Sequence, residues 1–175
     1  MSSDTRELII ESKTHGMFTV LIDADDWERV NKYKWNVNKN VRSKNKDVYY
    51  IITNSKAAPK RGTKLHRYIM NCPDEMVIDH KNQNTLDNRK SNLRICTRAD
   101  NKRNRGKPSN NTNGYKGVFQ TGNKWGARIG SGERSKHKYL GSYDIIEDAA
   151  RAYDKAAIEL HGVYACTNFP IEDYL

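Results

Sequence analysis

An aspartate and a histidine lie side by side at positions 79 and 80, after two apolar residues and before an almost wholly polar run. Neither a strand nor a helix requires such a pair at its end, so both side chains are candidates for chemistry. His80 follows Asp79 on a predicted strand and therefore points to the other side of the backbone. Its imidazole, with an ordinary pKa of about 6.5, is free there to take a proton from water.

A strand, loop, strand, helix order positions this pair. The pair ends one strand, residues 82–91 form a polar loop, and residues 92–97 return as a second strand. Thr97 and Asp100 have the spacing of a capping box, so a helix is predicted to start there and to run to about residue 105. A unit this small buries little core and commonly needs a metal to organise it.

Asn101 falls in the first turn of that helix, facing the strand end that carries Asp79. A carboxylate and an amide carbonyl are hard oxygen ligands, which suit Mg²⁺ or Mn²⁺ and suit Zn²⁺ poorly. We therefore predict that Asp79 and Asn101 bind one divalent ion in contact with a substrate phosphate, while His80 activates water. Such a metal with a base beside it is sufficient for phosphodiester hydrolysis.

This segment resembles the HNH nucleases, in the phage and intron-encoded branch that has Asp and Asn where the colicin-type enzymes have His. The resemblance covers about residues 64–105 and includes the loop LDNRKSNLR and the positions His66, Asp79, His80, Asn92 and Asn101. It implies that His80 is the general base and that Asp79 and Asn101 hold the single divalent ion. Asn92, by the same resemblance, pins the loop so that the base is correctly aimed.

Two positions within the resemblance carry further expectations. Arg105 lies one turn after Asn101 on the same helix face, where the family often has a second His or a basic residue facing the phosphate. His66 matches a position where the family commonly has a His-Arg pair. A catalytic histidine and a packed, hydrogen-bonded histidine are both consistent with the sequence at that position.

Residues 115–175 predict a second unit, of three short strands followed by the clearest helix of the chain. The strands are YKGVFQ, KWGARIG and KHKYLGSY, with the turns TGN and GSGERS between them. The helix is DIIEDAARAYDKAAIELHG, with Ser142 or Asp144 as its N-cap and Gly162 as its stop. Its apolar face is mostly alanine, so a sheet can approach it closely.

This second unit resembles the Apetala/ethylene-response-factor DNA-binding domains through YKGV, KW-x-A, LG-x-Y, EDAARAYDKAA and NFP. The resemblance implies a three-stranded antiparallel sheet in the major groove of DNA, with the helix packed behind it. The DNA-facing candidates that it implies are Lys116, Phe119, Lys124, Trp125, Arg128, His137 and Tyr139. Gln120 and Lys138 are added from their side chains and strand positions. For Trp125 and Tyr139, packing within the domain is an equally open alternative.

The strands depart from the plant members, which carry more arginines on them. Phe119 and Thr121 stand at or near such positions, and Gly130 replaces another. Fewer bidentate contacts to guanine are then available, each worth about 1–3 kcal/mol of discrimination. Sequence preference is expected to be looser, or to be read partly through DNA shape.

The charge distribution favours a polyanionic partner. The chain of 175 residues has a net charge of +10, and residues 61–110 carry 12 Lys and Arg against 5 Asp and Glu. Residues 111–140 carry 6 basic and 1 acidic residue, whereas 141–175 carry 2 and 7. Basic strands in front of an acidic helix fit DNA binding on one face, although a charge bias that serves only solubility has the same sign.

Composition excludes several other classes. Hydrophobic residues make up 36% of the chain, so small clusters are expected rather than one large core. Three widely spaced cysteines provide neither a disulfide framework nor a four-cysteine zinc site. No apolar stretch approaches the ~20 residues of a membrane span, and the N-terminus lacks a signal peptide pattern. We therefore expect an intracellular protein, in the cytoplasm or nucleoid of a bacterial host.

The segments around the nuclease motif are less specific. Residues 1–60 predict the strands GMFTVLID, KYKWNVNKN and DVYYIITN, which are expected to extend the nuclease sheet. VLIDADD shares letters with the LAGLIDADG motif but is interpreted as a strand running into an acidic turn, because no second copy exists. Residues 64–72 predict a short buried helix or strand. Residues 104–114 predict a linker that either follows a phosphate backbone or is a solvated tether.

The sequence as a whole predicts an α+β protein in four parts. The first two are an N-terminal β-rich region that supports the nuclease (1–60) and a ββα-metal HNH module (61–105). They are followed by a basic polar linker (106–114) and a DNA-binding domain of one three-stranded antiparallel sheet plus one α-helix (115–175). The predicted function is homing-type cleavage of double-stranded DNA by a monomer or weak dimer, with no membrane or small-molecule substrate. The alternative is a non-catalytic DNA-binding regulator with a decayed nuclease module. RNA binding is disfavoured because the stacked-aromatic pattern of single-strand readers is missing.

Overall fold

The computed structural model describes residues 4–40, 48–108, 110–130 and 137–174. The chain divides into two compact units, Met1–Asn101 and Lys102–Leu175. Small antiparallel sheets and short helices make up the chain, so the predicted α+β class is confirmed. No helix within the described ranges is long and apolar enough to cross a membrane.

The first unit consists of short elements grouped into small sheets. Its elements in chain order are β1 (Thr5–Ser12), β2 (Gly16–Asp23), α1 (Trp27–Val30), β3 (Asn36–Lys39), β4 (Tyr49–Thr53), β5 (Thr63–Lys64), α2 (Leu65–Ile69), β6 (Val77–His80), β7 (Leu93–Cys96) and α3 (Arg98–Arg103), which crosses the division between the units. Strands β1 and β2 form one hairpin, β3, β4 and β5 form a sheet, and β6 and β7 form a second hairpin. The predicted strand, loop, strand, helix order is therefore present.

One apolar cluster holds these sheets together. Val20 and Ile22 of β2 are fully buried in it, and Ile51, Leu65 and Ile78 join them from three other elements. The N-terminal strands thus support, by packing, the segment that resembles the HNH nucleases. They do not extend the hairpin that carries Asp79, contrary to expectation, because β3 and β4 pair with β5 and not with β6 or β7.

Strand β1 is absent from the predicted elements, although all of its residues pair with β2, from Thr5 opposite Asp23 to Ser12 opposite Gly16. Most of its side chains are exposed, so it lacks the apolar alternation that marks a half-buried strand. After β2 the chain forms a 3-10 turn over Ala24–Asp26, which agrees with the interpretation of VLIDADD. The first residue of the predicted strand DVYYIITN, Asp47, lies outside the described residues.

The second unit is a three-stranded antiparallel sheet with one helix packed against it. Its elements are β8 (Val118–Thr121), β9 (Lys124–Gly130), β10 (His137–Tyr143) and α4 (Ile146–His161), with β9 in the centre of the sheet. Ala149, Ala150 and Ala157 of α4 are fully buried, which lets the helix lie close to the sheet. Most of the predicted turn GSGERS falls within 131–136, outside the described residues.

The two ends of α4 differ in how well they were predicted. Ser142 and Asp144 are not its N-cap, because Ile145 occupies that position and makes no side-chain capping bond. Gly162 ends the helix as predicted, with a φ of +51° that favours glycine.

Asp154 is the buried polar centre of the second unit. Its carboxylate is fully buried and accepts four hydrogen bonds, from Asn168 N (2.8 Å), Asn168 Nδ2 (3.0 Å), Phe169 N (3.0 Å) and the Tyr174 hydroxyl (2.8 Å). Burial, followed by the bond to Asp154, raises the pKa of Tyr174 to about 12, so the phenol remains a donor. These bonds fasten the segment after α4 back onto the helix.

Part of the predicted linker is also fastened to the second unit. Asn111 Nδ2 donates to the Tyr115 carbonyl and Asn113 Nδ2 donates to the Val118 carbonyl, each at 2.8 Å. The side-chain carbonyls of the two asparagines accept the backbone N–H groups of Gly114 and Tyr115. Residues 111–115 therefore form a hydrogen-bonded turn beside β8 rather than a solvated tether.

Replacing Asp154 by alanine is expected to destabilise the second unit by at least about 3 kcal/mol, because two backbone donors lose their buried acceptor. Native-state hydrogen exchange of the α4 amides measures this loss. Tyr174→Phe removes one of the four bonds and should cost about 1 kcal/mol. Asp144→Ala, which removes an exposed carboxylate, is the matched control, and equal protection in Asp154→Ala and this control would contradict the assignment.

Candidate functional site

Asp79 lies at the penultimate position of β6, directly opposite Arg94 of β7. Both Nε and Nη2 of Arg94 contact the Asp79 Oδ2 atom, at 2.7 and 2.5 Å. The carboxylate is buried and the guanidinium is largely buried. Sequence reasoning missed this partner, because the register that places Arg94 opposite Asp79 has no local sequence signature.

His80 is the last residue of β6 and is buried. Burial lowers the pKa of His80, while the neighbouring Asn88 side chain and the carboxylates of Asp79 and Asp87 partly oppose that shift. The imidazole is therefore mainly neutral near pH 7, which is the form that accepts a proton. The geometry suits the predicted general base.

Asn92 connects the two ends of the polar loop. Its Oδ1 accepts the Asn82 N–H at 3.0 Å, and its Nδ2 donates to the Asp87 carbonyl at 2.8 Å. Its own backbone carbonyl accepts the Lys81 N–H at 2.9 Å, directly after His80. These are the contacts that a loop-positioning residue needs, and this role for Asn92 stays a prediction.

Asp87 is a second anchor of the loop that sequence reasoning missed. Its carboxylate accepts Arg89 Nε and Nη2 at 2.8 and 2.7 Å and Asn82 Nδ2 at 2.9 Å. The hydrogen bonds from Arg89 lower the pKa of Asp87, so the anchor stays ionised at neutral pH.

Strand β2 also holds the loop. The Leu21 N–H donates to the Leu86 carbonyl at 2.9 Å, and the Leu21 carbonyl accepts the Asn88 N–H at 2.8 Å. The N-terminal hairpin and the loop after His80 are thus joined by backbone hydrogen bonds on both sides of Asp87.

His66 of α2 is buried between two aromatic rings. Its ring centroid lies 5.5 Å from that of Tyr50 and 5.2 Å from that of His80, with interplanar angles of 69° and 89°. Burial, followed by the charges of His80, Lys64 and Arg67, lowers the pKa of His66 well below its ordinary value. The structure brings His66 to the site, where its buried ring packs against both Tyr50 and His80.

Asn101 lies in α3, whose start is fixed by the predicted capping pair. The Thr97 hydroxyl accepts the Asp100 N–H at 3.1 Å and donates to the Asp100 carboxylate at 2.6 Å. Asn101 is exposed and has no side-chain hydrogen bond within the described residues. The contacts of Asp79 are therefore with Arg94 rather than with Asn101.

The donor set is consistent with the predicted metal. The carboxylate of Asp79 and the amide carbonyl of Asn101 are oxygen donors of the kind that Mg²⁺ and Mn²⁺ prefer. Within the described ranges, no group of three or more His, Cys, Asp or Glu side chains offers an alternative metal site. Binding at Asp79 would have to compete with, or rearrange, the ion pair to Arg94.

Arg105 belongs to the second unit, two residues after the end of α3. It is exposed, and its backbone carbonyl accepts Lys116 Nζ at 2.6 Å. The contact of Arg105 with a substrate phosphate stays a prediction.

The sheet of the second unit has one face packed on α4 and one face away from it. Side chains alternate between these faces along each strand. Trp125, Ala127 and Ile129 of β9 pack on the helix side, so Lys124 and Arg128 lie on the outer face. Strand register places these further predicted DNA-facing residues on the outer face: Phe119 opposite Gly126, Tyr139 opposite Arg128 and His137 opposite Gly130.

Contacts on the outer face shape its central part. The Phe119 ring covers Gly126, where an added Cβ would lie 2.5 Å from the ring. The guanidinium of Arg128 lies 4.9 Å from the centre of the same ring. Tyr139 is 58% exposed, so its ring is available to a ligand. Lys124 forms an exposed ion pair with Asp144 at 3.1 Å.

Four predicted DNA-facing residues lie elsewhere. Trp125 packs in the helix-side cluster, which supports the packing alternative for this residue. Gln120 and Lys138 pair with Trp125 and Ile129, so alternation places them on the helix side of the strands, although both are exposed. Lys116 precedes β8 and is partly buried, with Nζ bonded to a backbone carbonyl.

Comparison with protein families finds a match to an HNH endonuclease family model over residues 71–103. This range contains β6, the polar loop, β7 and α3. It includes Asp79, His80, Asn92 and Asn101, whereas His66 and Arg105 fall outside it.

Comparison with curated proteins finds plant transcription factors. The chain is 31% identical over 183 residues to the ethylene-responsive transcription factor WRI1 of Arabidopsis thaliana, covering 99% of this chain and 40% of that protein. An AP2-like ethylene-responsive transcription factor of the same plant is 49% identical over 63 residues, covering 35% and 18%. The ethylene-responsive transcription factor ERN1 of Medicago truncatula is 35% identical over 88 residues, covering 50% and 33%. The chain thus spans at most two fifths of each of these relatives.

These similarities support both predicted parts of the chain at the level of class. They indicate an HNH endonuclease segment and a segment of the ethylene-responsive transcription factor type. The homing subtype is not part of either similarity.

The buried His66 predicts a loss of stability at acid pH. Its folded-state pKa lies below the unfolded value of about 6.5, so the unfolded chain binds more protons and stability falls as pH falls from 7 towards 5. His66→Phe should show a smaller decrease in melting temperature over this range than the wild type. His15→Gln, which removes an exposed histidine, should follow the wild type. Parallel curves for His66→Phe and the wild type would show that His66 contributes nothing to the pH dependence.

Proposed function

We propose that this protein is a metal-dependent DNA endonuclease of the homing type, with the first unit as nuclease and the second as DNA-binding unit. The observation that carries the proposal is the buried Asp79-His80 end of β6, next to a loop whose two ends Asn92 joins. The family similarity covers this same segment. A structural role alone does not require a buried histidine and a buried carboxylate at one strand end.

The residues have distinct roles in this proposal. His80, mainly neutral at pH 7, accepts a proton from the water that attacks the phosphorus atom. Asn92 and Asp87 keep the loop after His80 in place, which maintains the direction of the imidazole. Asp79 and Asn101 would hold Mg²⁺ or Mn²⁺, which when bound polarises the phosphoryl oxygen and stabilises the leaving 3′-oxygen.

The second unit is proposed to bind double-stranded DNA with the outer face of its sheet. That face combines the cationic side chains of Lys124 and Arg128 with the exposed ring of Tyr139, and the major groove admits a two-stranded β-ribbon. The similarity to ethylene-responsive transcription factors favours the same use. With Phe119 and Gly130 on this face in place of arginines, we expect modest base discrimination.

A second candidate function is DNA binding without cleavage, in which the nuclease segment has only a structural role. The ion pair between Arg94 and Asp79 favours it, because the guanidinium contacts an oxygen atom of the predicted metal ligand. The curated relatives are transcription factors, which also fits this candidate.

Incubation with supercoiled plasmid separates the two candidates. The wild type should nick plasmid in Mg²⁺ or Mn²⁺ and not in EDTA, and His80→Ala should reduce the rate by about 10²–10⁴-fold, the usual contribution of a general base. His15→Ala removes an exposed histidine and should retain activity. DNA binding without cleavage in every divalent ion tested, on several target plasmids, would refute the endonuclease and support the regulator.

The outer face of the sheet can be tested by duplex binding. Arg128→Ala should weaken binding by about 1–3 kcal/mol, the range of one good side-chain contact to a base. Lys155→Ala removes one positive charge from the exposed side of α4 and serves as the control. Fluorescence anisotropy with a labelled duplex in EDTA measures both variants. Equal losses in the two variants would indicate a general charge effect and contradict binding by this face.

A further inference from the structure

Lys64 is a partly buried lysine close to His66 that has no anionic partner among the described residues. Lys64 is the second residue of β5, opposite Ile52 of β4, which places it diagonally from Tyr50 on the same face. Its Nζ atom lies 4.5 Å from the centre of the Tyr50 ring. Within the described residues, no carboxylate forms an ion pair with it.

This position is costly for a cation. Burial lowers the pKa of Lys64, and the nearby charge of Arg67 lowers it further. The face of the Tyr50 ring attracts the ammonium group but carries no net negative charge. The fold therefore keeps a partly desolvated positive charge that a bound anion would stabilise.

The neighbouring cations are already engaged. Arg67 donates to the carbonyls of Met76 (2.8 Å), Cys72 (3.1 Å) and Pro73 (2.7 Å). Lys60 is paired with Asp74 at 3.1 Å. Lys60, Lys64 and Arg67 line one pocket of about 500 Å³. Among the described residues, Lys64 is the one of the three that contacts neither a carboxylate nor a backbone carbonyl through its charged group.

A series of ring contacts connects Lys64 to the proposed general base. The ring of Tyr50 contacts that of His66, which contacts that of His80. The charge of Lys64 is also close enough to His66 to lower its pKa. An anion bound at Lys64 would therefore lie near His66, whose ring contacts that of the proposed general base.

We propose that Lys64 binds a backbone phosphate of the DNA strand that is cleaved, and that the Tyr50 ring holds its ammonium group in place for this contact. This inference rests on the proposed endonuclease function for the identity of the anion. It adds a phosphate contact that neither the sequence pattern nor the family match includes, since Lys64 lies outside residues 71–103.

Salt dependence of DNA binding tests the contact separately from cleavage. Full-length wild type, Lys64→Met and Lys60→Met are titrated with a 30-base-pair duplex of arbitrary sequence, in EDTA, between about 0.05 and 0.2 M salt. Loss of one phosphate contact should reduce the slope of log affinity against log salt by about 0.9 in Lys64→Met. Lys60→Met removes the same charge from the same pocket, but Asp74 already lies 3.1 Å from that charge, so a smaller change of slope is expected.

Lys64→Arg keeps the charge and should restore most of the slope, while circular dichroism of each variant verifies folding. If Lys64→Met is unfolded, the comparison moves to Tyr50→Leu, which leaves the lysine in place, removes the ring beneath it and should reduce affinity. An unchanged slope in folded Lys64→Met, or equal reductions in Lys64→Met and Lys60→Met, would overturn the proposal. Absence of nicking by the wild type would refute the endonuclease alone, because the slopes are measured without metal.

Discussion

Apolar side chains are scarce in this protein, and buried side-chain hydrogen bonds hold in place the segments that the small apolar cores do not. Only 36% of the residues are hydrophobic, and each unit has a modest apolar cluster. In the first unit Asp87 and Asn92 fix the polar loop, and in the second Asp154 fixes the segment after α4. Removing one such acceptor leaves several donors unsatisfied, which costs more than an exposed polar contact would.

The range over which each interaction acts along the chain explains which parts of the structure could be predicted from the sequence. Local patterns were sufficient for the strand, loop, strand, helix order, because turn residues, a capping pair and β-rich runs act over a few positions. Long-range partners were not visible in those patterns. Arg94 contacts Asp79 through strand register, and Asp154 contacts Asn168 across fourteen positions, so neither pair has a local sequence signature.

The alternation of side chains along a strand also limits which residue roles can be inferred for this chain from its resemblance to a family. Neighbouring residues on a strand lie on opposite faces, so a motif that spans consecutive positions contains both packing and ligand-facing side chains. Trp125 and Arg128 belong to the same strand, yet Trp125 packs on α4 and Arg128 lies on the outer face. For the site residues of the first unit, the geometry brings Asp79, His80, Asn92 and His66 together but leaves Asn101 exposed on α3.

The backbone hydrogen bonds between Leu21 and the polar loop determine whether the segment that matches the HNH endonuclease family can fold outside this protein. The family match begins at residue 71, about fifty positions after Leu21. A fragment cut at that boundary would retain Asp79 and His80 but would lose the strand that holds Leu86 and Asn88, together with most of the apolar cluster. Transfer of this segment to another protein would therefore require the N-terminal hairpin as well, even though no residue of that hairpin belongs to the motif.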